Sequence, residues 1–165
     1  MSNLIMNPSF EEGLSYWDAN NVTLSTGNPF DGTASARLGP GVANISQDVL
    51  LEILETSLQL SFAIASPSVA DPGTVIITVT WLDTFRREIG TGLSMMISSA
   101  TTAVQSLWVT RVNITTIAPK NALAARVNFS KSAGMGDGNF IDLDLVVLST
   151  LYVPAAWEAA ANNNQ

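Results

Sequence analysis

Cysteine and histidine are both absent from this 165-residue chain. The first absence excludes disulfides and thiolate nucleophiles, and the two together remove zinc sites of the usual kinds and the commonest general base. Most nucleophile–base pairs go with them, so a non-enzymatic role is expected. Basic residues are scarce: two Lys and five Arg stand against fourteen Asp and Glu, for a net charge of −7. Such a chain has no electrostatic basis for holding a phosphate backbone, and nucleic acid is not an expected partner. Long apolar runs are missing too. The most apolar stretch, "LDLVVLSTLYVPAAW", carries Asp144 and Pro154 and falls short of the roughly 20 residues that span a bilayer, so membrane insertion is not expected. The opening residues lack the basic head, apolar run and small-residue cleavage site of a secretory leader.

What remains is a chain that is 47% hydrophobic and only 13% charged, enough to bury one core. The apolar residues alternate with polar ones far more often than they recur at helical spacing. "LQLSFAIA" sets Leu58, Leu60, Phe62 and Ile64 against Gln59, Ser61, Ala63 and Ala65. "VIITVTWL" sets Val75, Ile77, Val79 and Trp81 against Ile76, Thr78, Thr80 and Leu82, and "LAARVNF" sets Leu123, Ala125, Val127 and Phe129 against Ala124, Arg126 and Asn128. "WVTRVNI" sets Trp108, Thr110, Val112 and Ile114 against Val109, Arg111 and Asn113. Each such strand has one face for a core and one for solvent or a ligand.

Turn clusters such as "TGNPFDGT", "LGPG", "SPSVADPG" and "SAGMGDGN" separate these runs. About ten short strands with no crossover helices predict an all-β, antiparallel β-sandwich of the jelly-roll type. One domain is expected over residues 1–150, with 151–165 as a C-terminal tail or linker. "LLEILETS" is the best candidate for a helical turn inside a connection, and "PAAWEAAA" for a short helix near the end. Trp17, Trp81 and Trp108 are expected to pack in the core. Trp157 sits in a segment without alternation, which suits docking or self-association as well as packing.

The order of "NLIMNPSFEEG", Trp17, "FDGTASARL", "ISQDV", "WLD", Trp108 and "FIDLDLVVL" resembles that of carbohydrate-binding-module-like, galactose-binding-like jelly rolls. It is most similar to the domain that precedes collagen-like triple-helix repeats in spore-forming Firmicutes, over roughly residues 3–149. The resemblance implies a non-catalytic sandwich that binds glycans in some relatives and heads a trimeric surface filament in others. It places Leu4 and Met6 in a first strand, entering the core. It also implies a structural calcium held by Glu11 and the acids of the last strand, Asp142 and Asp144, although Leu143 interrupts the adjacent Asp-Asp of the pattern. Solvated edge acids are the alternative, since calcium needs six to eight oxygens. A further departure is that no Gly-X-Y repeats occur in the chain.

Polar stripes offer the remaining candidate site. Gln59, Ser61, Thr78, Thr80, Arg111, Asn113, Arg126 and Asn128 carry amide, hydroxyl and guanidinium groups suited to sugar hydroxyls. A simple hairpin about Pro119-Lys120 would set Arg111 opposite Asn128 and Asn113 opposite Arg126, making one polar cluster for a ligand or an interface. Strands sent to opposite sheets would instead part the two Arg. Two functions follow. The first is a structural module of a bacterial spore or cell surface that self-associates, most plausibly as a trimer, through outward apolar residues such as Ile76, Val109 and Ala124. The second is a glycan-binding module with a surface glycan as partner.

Overall fold

The computed structural model describes residues 2–67, 71–98, 107–136 and 138–151. Within them the alternating runs become strands: β1 (Asp18–Asn20), β2 (Val22–Ser25), β3 (Ser35–Leu38), β4 (Ala43–Leu50), β5 (Leu58–Ala65), β6 (Val75–Leu82), β7 (Glu88–Ile97), β8 (Val109–Ile114), β9 (Ala124–Lys131) and β10 (Ile141–Thr150). Every pairing is antiparallel, and the strands form two five-stranded sheets, ordered β1-β4-β9-β6-β7 and β2-β3-β10-β5-β8. Chain neighbours repeatedly fall in different sheets, as the jelly-roll expectation requires. No helix among the described residues is long and apolar enough to cross a membrane.

The core lies between the sheets and is built from the apolar rows that the alternation marks out. Leu58, Leu60, Phe62 and Ile64 of β5 face Ile77, Val79 and Trp81 of β6 and Val127 and Phe129 of β9, all buried. Phe62 and Phe129 meet edge to face, their centroids 5.1 Å apart, the arrangement that the ring quadrupole favours. Gly92 of β7 lies under Trp81, and a Cβ there would stand 2.6 Å from the indole, so the close approach requires glycine.

The opening segment is not a strand. Its backbone turns through left-handed conformations at Asn7 (φ 53°) and Phe10 (φ 58°), and Ile5 and Phe10 enter the core while Met6 is exposed. Leu4 is only partly buried against the core. Gln47 supplies what a ladder would have supplied: its Oε1 accepts from the Met6 amide at 2.8 Å and its Nε2 donates to the Met6 carbonyl at 3.0 Å. Trp17 closes this end, its ring 5.3 Å from Phe10 and its indole N–H on the Asn7 carbonyl. The connection over residues 51–57 forms bends and no helical turn. "PAAWEAAA", and with it Trp157, lies outside the described residues.

Candidate functional site

Pairing of β1, β4, β9 and β6 aligns their outward residues into transverse rows. One row runs Asp18, Ser46, Asn128, Thr78, and the next runs Asp48, Arg126, Thr80. A third carries Asn20, Asn44 and Ser130 before ending on the exposed Ile76. The first two rows floor a cleft of about 680 Å³ on the outer face of the first sheet. Tyr16 and Arg86, both from turns at positive φ, line it as well, together with Glu88 at the start of β7. Tyr16 is 59% exposed and, among the described residues, is the one aromatic that lines the cleft.

The floor is pre-ordered by its own hydrogen bonds. Arg126 donates through Nε and Nη2 to the two oxygens of Asp48, at 2.7 and 3.0 Å, and through Nη1 to Glu88 at 3.4 Å. Asn44 Nδ2 donates to Asn128 Oδ1 at 2.6 Å and to Ser130 Oγ at 2.9 Å. Thr78 and Thr80, paired with Asn128 and Arg126, line the cleft beside them. The result is a cleft lined by both donors and acceptors, with Arg126, Asp48, Asn44 and Asn128 already held in place, a surface suited to a polyhydroxylated ligand.

Arg126 and Asn128 therefore belong to this cleft, but Arg111 and Asn113 do not. β8 pairs with β5 in the second sheet while β9 joins the first, so the hairpin pairing of the four residues does not form. The face assignment of β8 is also inverted. Arg111 pairs opposite Phe62 and Asn113 opposite Leu60, both core residues, whereas Val112 and Ile114 are exposed. Asn113 Nδ2 lies 3.2 Å from Met95 Sδ, and Arg111 Nε is buried without a hydrogen-bond partner among the described residues. The physical reason is position: β8 ends its sheet, and its inner face meets the edge strand β7 of the other sheet, where polar groups reach the border of the sandwich. Of the apolar residues expected outside, Ile76 is exposed, Val109 turns inward and Ala124 is buried.

The three acids of the calcium expectation are separately engaged. Glu11 accepts from the Thr33 amide at 2.9 Å, the Thr33 hydroxyl at 2.6 Å and the Ala34 amide at 3.1 Å. Asp144, fully buried, accepts from the Phe30 and Asp31 amides, each at 2.9 Å, and from its own neighbour Leu145. Asp142 is held bidentately by Arg37 at 2.8 and 2.9 Å. The 30–34 segment thus turns N–H donors, not carbonyl oxygens, toward Glu11 and Asp144, which is the wrong chemistry for calcium. No group of three acids suited to a metal occurs among the described residues. The Thr33 hydroxyl, then its amide, hold the Glu11 carboxyl below the usual range, so its grip on this turn is present above the ordinary glutamate pKa and is lost as pH falls through the lowered value. Neither calcium nor a chelator is expected to move the melting temperature. A saturable rise with calcium, as binding to the folded state alone would produce, would contradict this assignment of the acids.

Trp81 is a core residue, as expected, but Trp108 is not. Trp108 is half-buried on the outer face of the second sheet, with its indole N–H on the Asn28 carbonyl at 2.9 Å and its ring 5.8 Å from Phe30.

No family model matches the sequence, and no curated protein matches it. Solved structures do. The chain superimposes on a family 61 carbohydrate-binding module in complex with β-1,4-galactotriose with a TM-score of 0.64, at 16% identity, covering 92% of this chain and 100% of that one. A family 16 carbohydrate-binding module gives 0.63 at 18% identity, covering 88% and 99%. The enzymatically active domain of bacteriophage CBA120 tailspike protein 4 gives 0.72 at 19% identity, and there the match covers 90% of this chain but spans only 21% of the tailspike chain. The fold is thus the jelly-roll β-sandwich of carbohydrate-binding modules. The narrower likeness to the domain preceding collagen-like repeats rests on the sequence motifs alone.

Proposed function

We propose that this chain is a non-catalytic glycan-binding module whose ligand lies along the outer face of β1-β4-β9-β6-β7. The observation that carries the reading is the pre-ordered polar cleft floored by Asp48, Arg126, Asn128, Thr78 and Thr80, on a fold shared over nearly the whole chain with carbohydrate-binding modules. Its volume of about 680 Å³ favours several consecutive sugar units over one. Tyr16 at the rim supplies an aromatic face for one of them. This reverses the order of preference that low charge, outward apolar residues and the want of an evident aromatic platform in the sequence suggest, because the shared fold speaks for a glycan and leaves assembly at a spore surface without comparable support. The test is a glycan array followed by calorimetry on the best hit. Arg126→Gln is expected to weaken binding about tenfold, a change of about 1.4 kcal/mol. No hit on a broad array, or a hit unaffected by Arg126→Gln, would overturn the reading.

Self-association is a second reading, favoured by one feature of the other sheet. β8 is its terminal strand among the described residues, and its outward Val112 and Ile114 are 55% and 54% exposed. An edge strand that exposes apolar side chains in this way is a natural pairing surface. If it brings copies together at a spore or cell surface, light scattering behind size exclusion gives a trimer mass for the wild type and a monomer for Val112→Lys. A monomeric wild type at high micromolar concentration would remove this reading and leave the first intact.

A further inference from the structure

The connection from β2 to β3 folds back across the outer face of the second sheet, on the side of the molecule opposite the cleft. Three anchors hold it there: the Asp144 carboxylate on the Phe30 and Asp31 amides, the Trp108 indole N–H on the Asn28 carbonyl, and the Phe30 ring against Trp108. Beneath it is a hollow of about 210 Å³. Gly27 and Asn28 of this connection line it together with Ala65, Pro67, Trp108 and the Arg37–Asp142 pair.

We propose that this hollow is a second binding site, for a single sugar unit, independent of the cleft. Its size is below the roughly 300–1,000 Å³ of pockets for drug-sized ligands, which leaves room for one ring. The polar wall is fixed twice over, because Arg37 is both bidentate to Asp142 and stacked on Phe140 with its guanidinium carbon 5.0 Å from the ring centre. Of the five N–H donors of a guanidinium, Asp142 takes two, and each Asp142 oxygen keeps lone-pair capacity beyond the bond it accepts. The wall therefore presents donors and acceptors side by side with its charges already balanced. A free anion or cation gains little from such a pair, whereas adjacent hydroxyls, each both donor and acceptor, match it. The aromatic wall of Trp108 suits the apolar C–H face of a pyranose. None of these residues lines the cleft, so this site stands or falls without the reading of the cleft.

The indole N–H signal of Trp108, assigned by Trp108→Phe, reports on the hollow directly in a proton–nitrogen correlation spectrum. Titration with the methyl glycosides of D-galactose, D-glucose and D-xylose is expected to shift it saturably with at least one of them, and equally in Arg126→Gln. Gly27→Leu places a branched side chain on the lining of the hollow without a clash, since a Cβ at Gly27 meets nothing within 4 Å, and is expected to weaken that binding at least about tenfold. Arg37→Lys keeps the charge but loses the planar fork and is expected to weaken it similarly. The proposal is overturned if no glycoside gives a saturable shift, if sodium acetate does and the sugars do not, if the shift survives Gly27→Leu, or if Arg126→Gln abolishes it.

Discussion

Replacing Lys131 by Met is expected to destabilise the domain by about 3 kcal/mol, because it strips the donor from three acceptors, one of them on the buried Asn139 and two on partly solvated carbonyls. Lys131 ends β9 opposite Ala43 and Val75 and is 2% exposed. Its three ammonium protons have three acceptors: the Gly41 carbonyl at 2.8 Å, the Ser132 carbonyl at 3.0 Å and Asn139 Oδ1 at 3.2 Å. Asn139 in turn accepts from the Gly41 amide at 2.6 Å and donates to the Gly136 carbonyl at 2.8 Å. One cation thus ties the turn after β3 to the connection before β10. Met matches the length of the stem and fills its volume, so packing is nearly kept while each orphaned acceptor costs about 1–3 kcal/mol, reduced where water reaches it. Urea unfolding is expected to show a lower midpoint with unchanged slope, and thermal unfolding a loss of roughly 10 °C for a chain of this size. A loss under about 1 kcal/mol would show that the three oxygens do not depend on the ammonium.

The same residue gives the stability a pH dependence of known sign. Burial pushes the Lys131 ammonium below its ordinary value of 10.5, with Asp71 opposing it. Between the lowered value and 10.5 the unfolded chain binds more protons than the folded one, so stability contributed by this group rises with pH across that window. The Met variant lacks this rise.

Nothing in "VNFSK" marks that lysine as buried except its parity with Val127 and Phe129, and parity is outweighed by the usual exposure of lysine. Parity was sufficient where a strand is central: β5, β6 and β9 each bury the row that their apolar residues define. It was insufficient at β8, where the more apolar row is the exposed one, because an edge strand is sorted by which edge it faces. The cleft shows the same limit. Arg126 and Asn128 are legible as outward residues, but Asp48, Ser46 and Asp18 join them only through pairings between strands far apart in sequence. Tyr16 and Arg86 reach the rim from turns at positive φ, for which the alternation carries no signal. Trp108 looked like a core aromatic for want of the loop that covers it.

Asp48→Ala is expected to change which glycans the cleft accepts, an effect that rests on the glycan-binding reading. Among its lining side chains three carboxylates, Asp18, Asp48 and Glu88, face two guanidiniums, Arg86 and Arg126, so two positive and three negative charges leave a net of −1. Arg126 spends Nε and Nη2 on Asp48 and only its longer contact on Glu88. Removing Asp48 brings the lining charge to zero and frees two N–H donors in the planar fork that recognises carboxylates. A neutral β-1,4-galactan oligomer loses an acceptor and a fixed guanidinium, and its affinity is expected to fall about tenfold. Oligogalacturonate, repelled by the wild-type cleft, is expected to bind the variant, and to do so less well as salt rises from about 0.1 M to about 1 M, where the screening length shrinks from about 10 Å to about 3 Å. Folding stability should change by no more than about 1 kcal/mol, since both partners of the pair are partly solvated, so the two affinities can be compared on an intact sandwich. If Asp48→Ala binds neutral and acidic oligomers as the wild type does, then the Arg126–Asp48 pair does not touch the ligand, and the reading of this cleft as the glycan site fails with it.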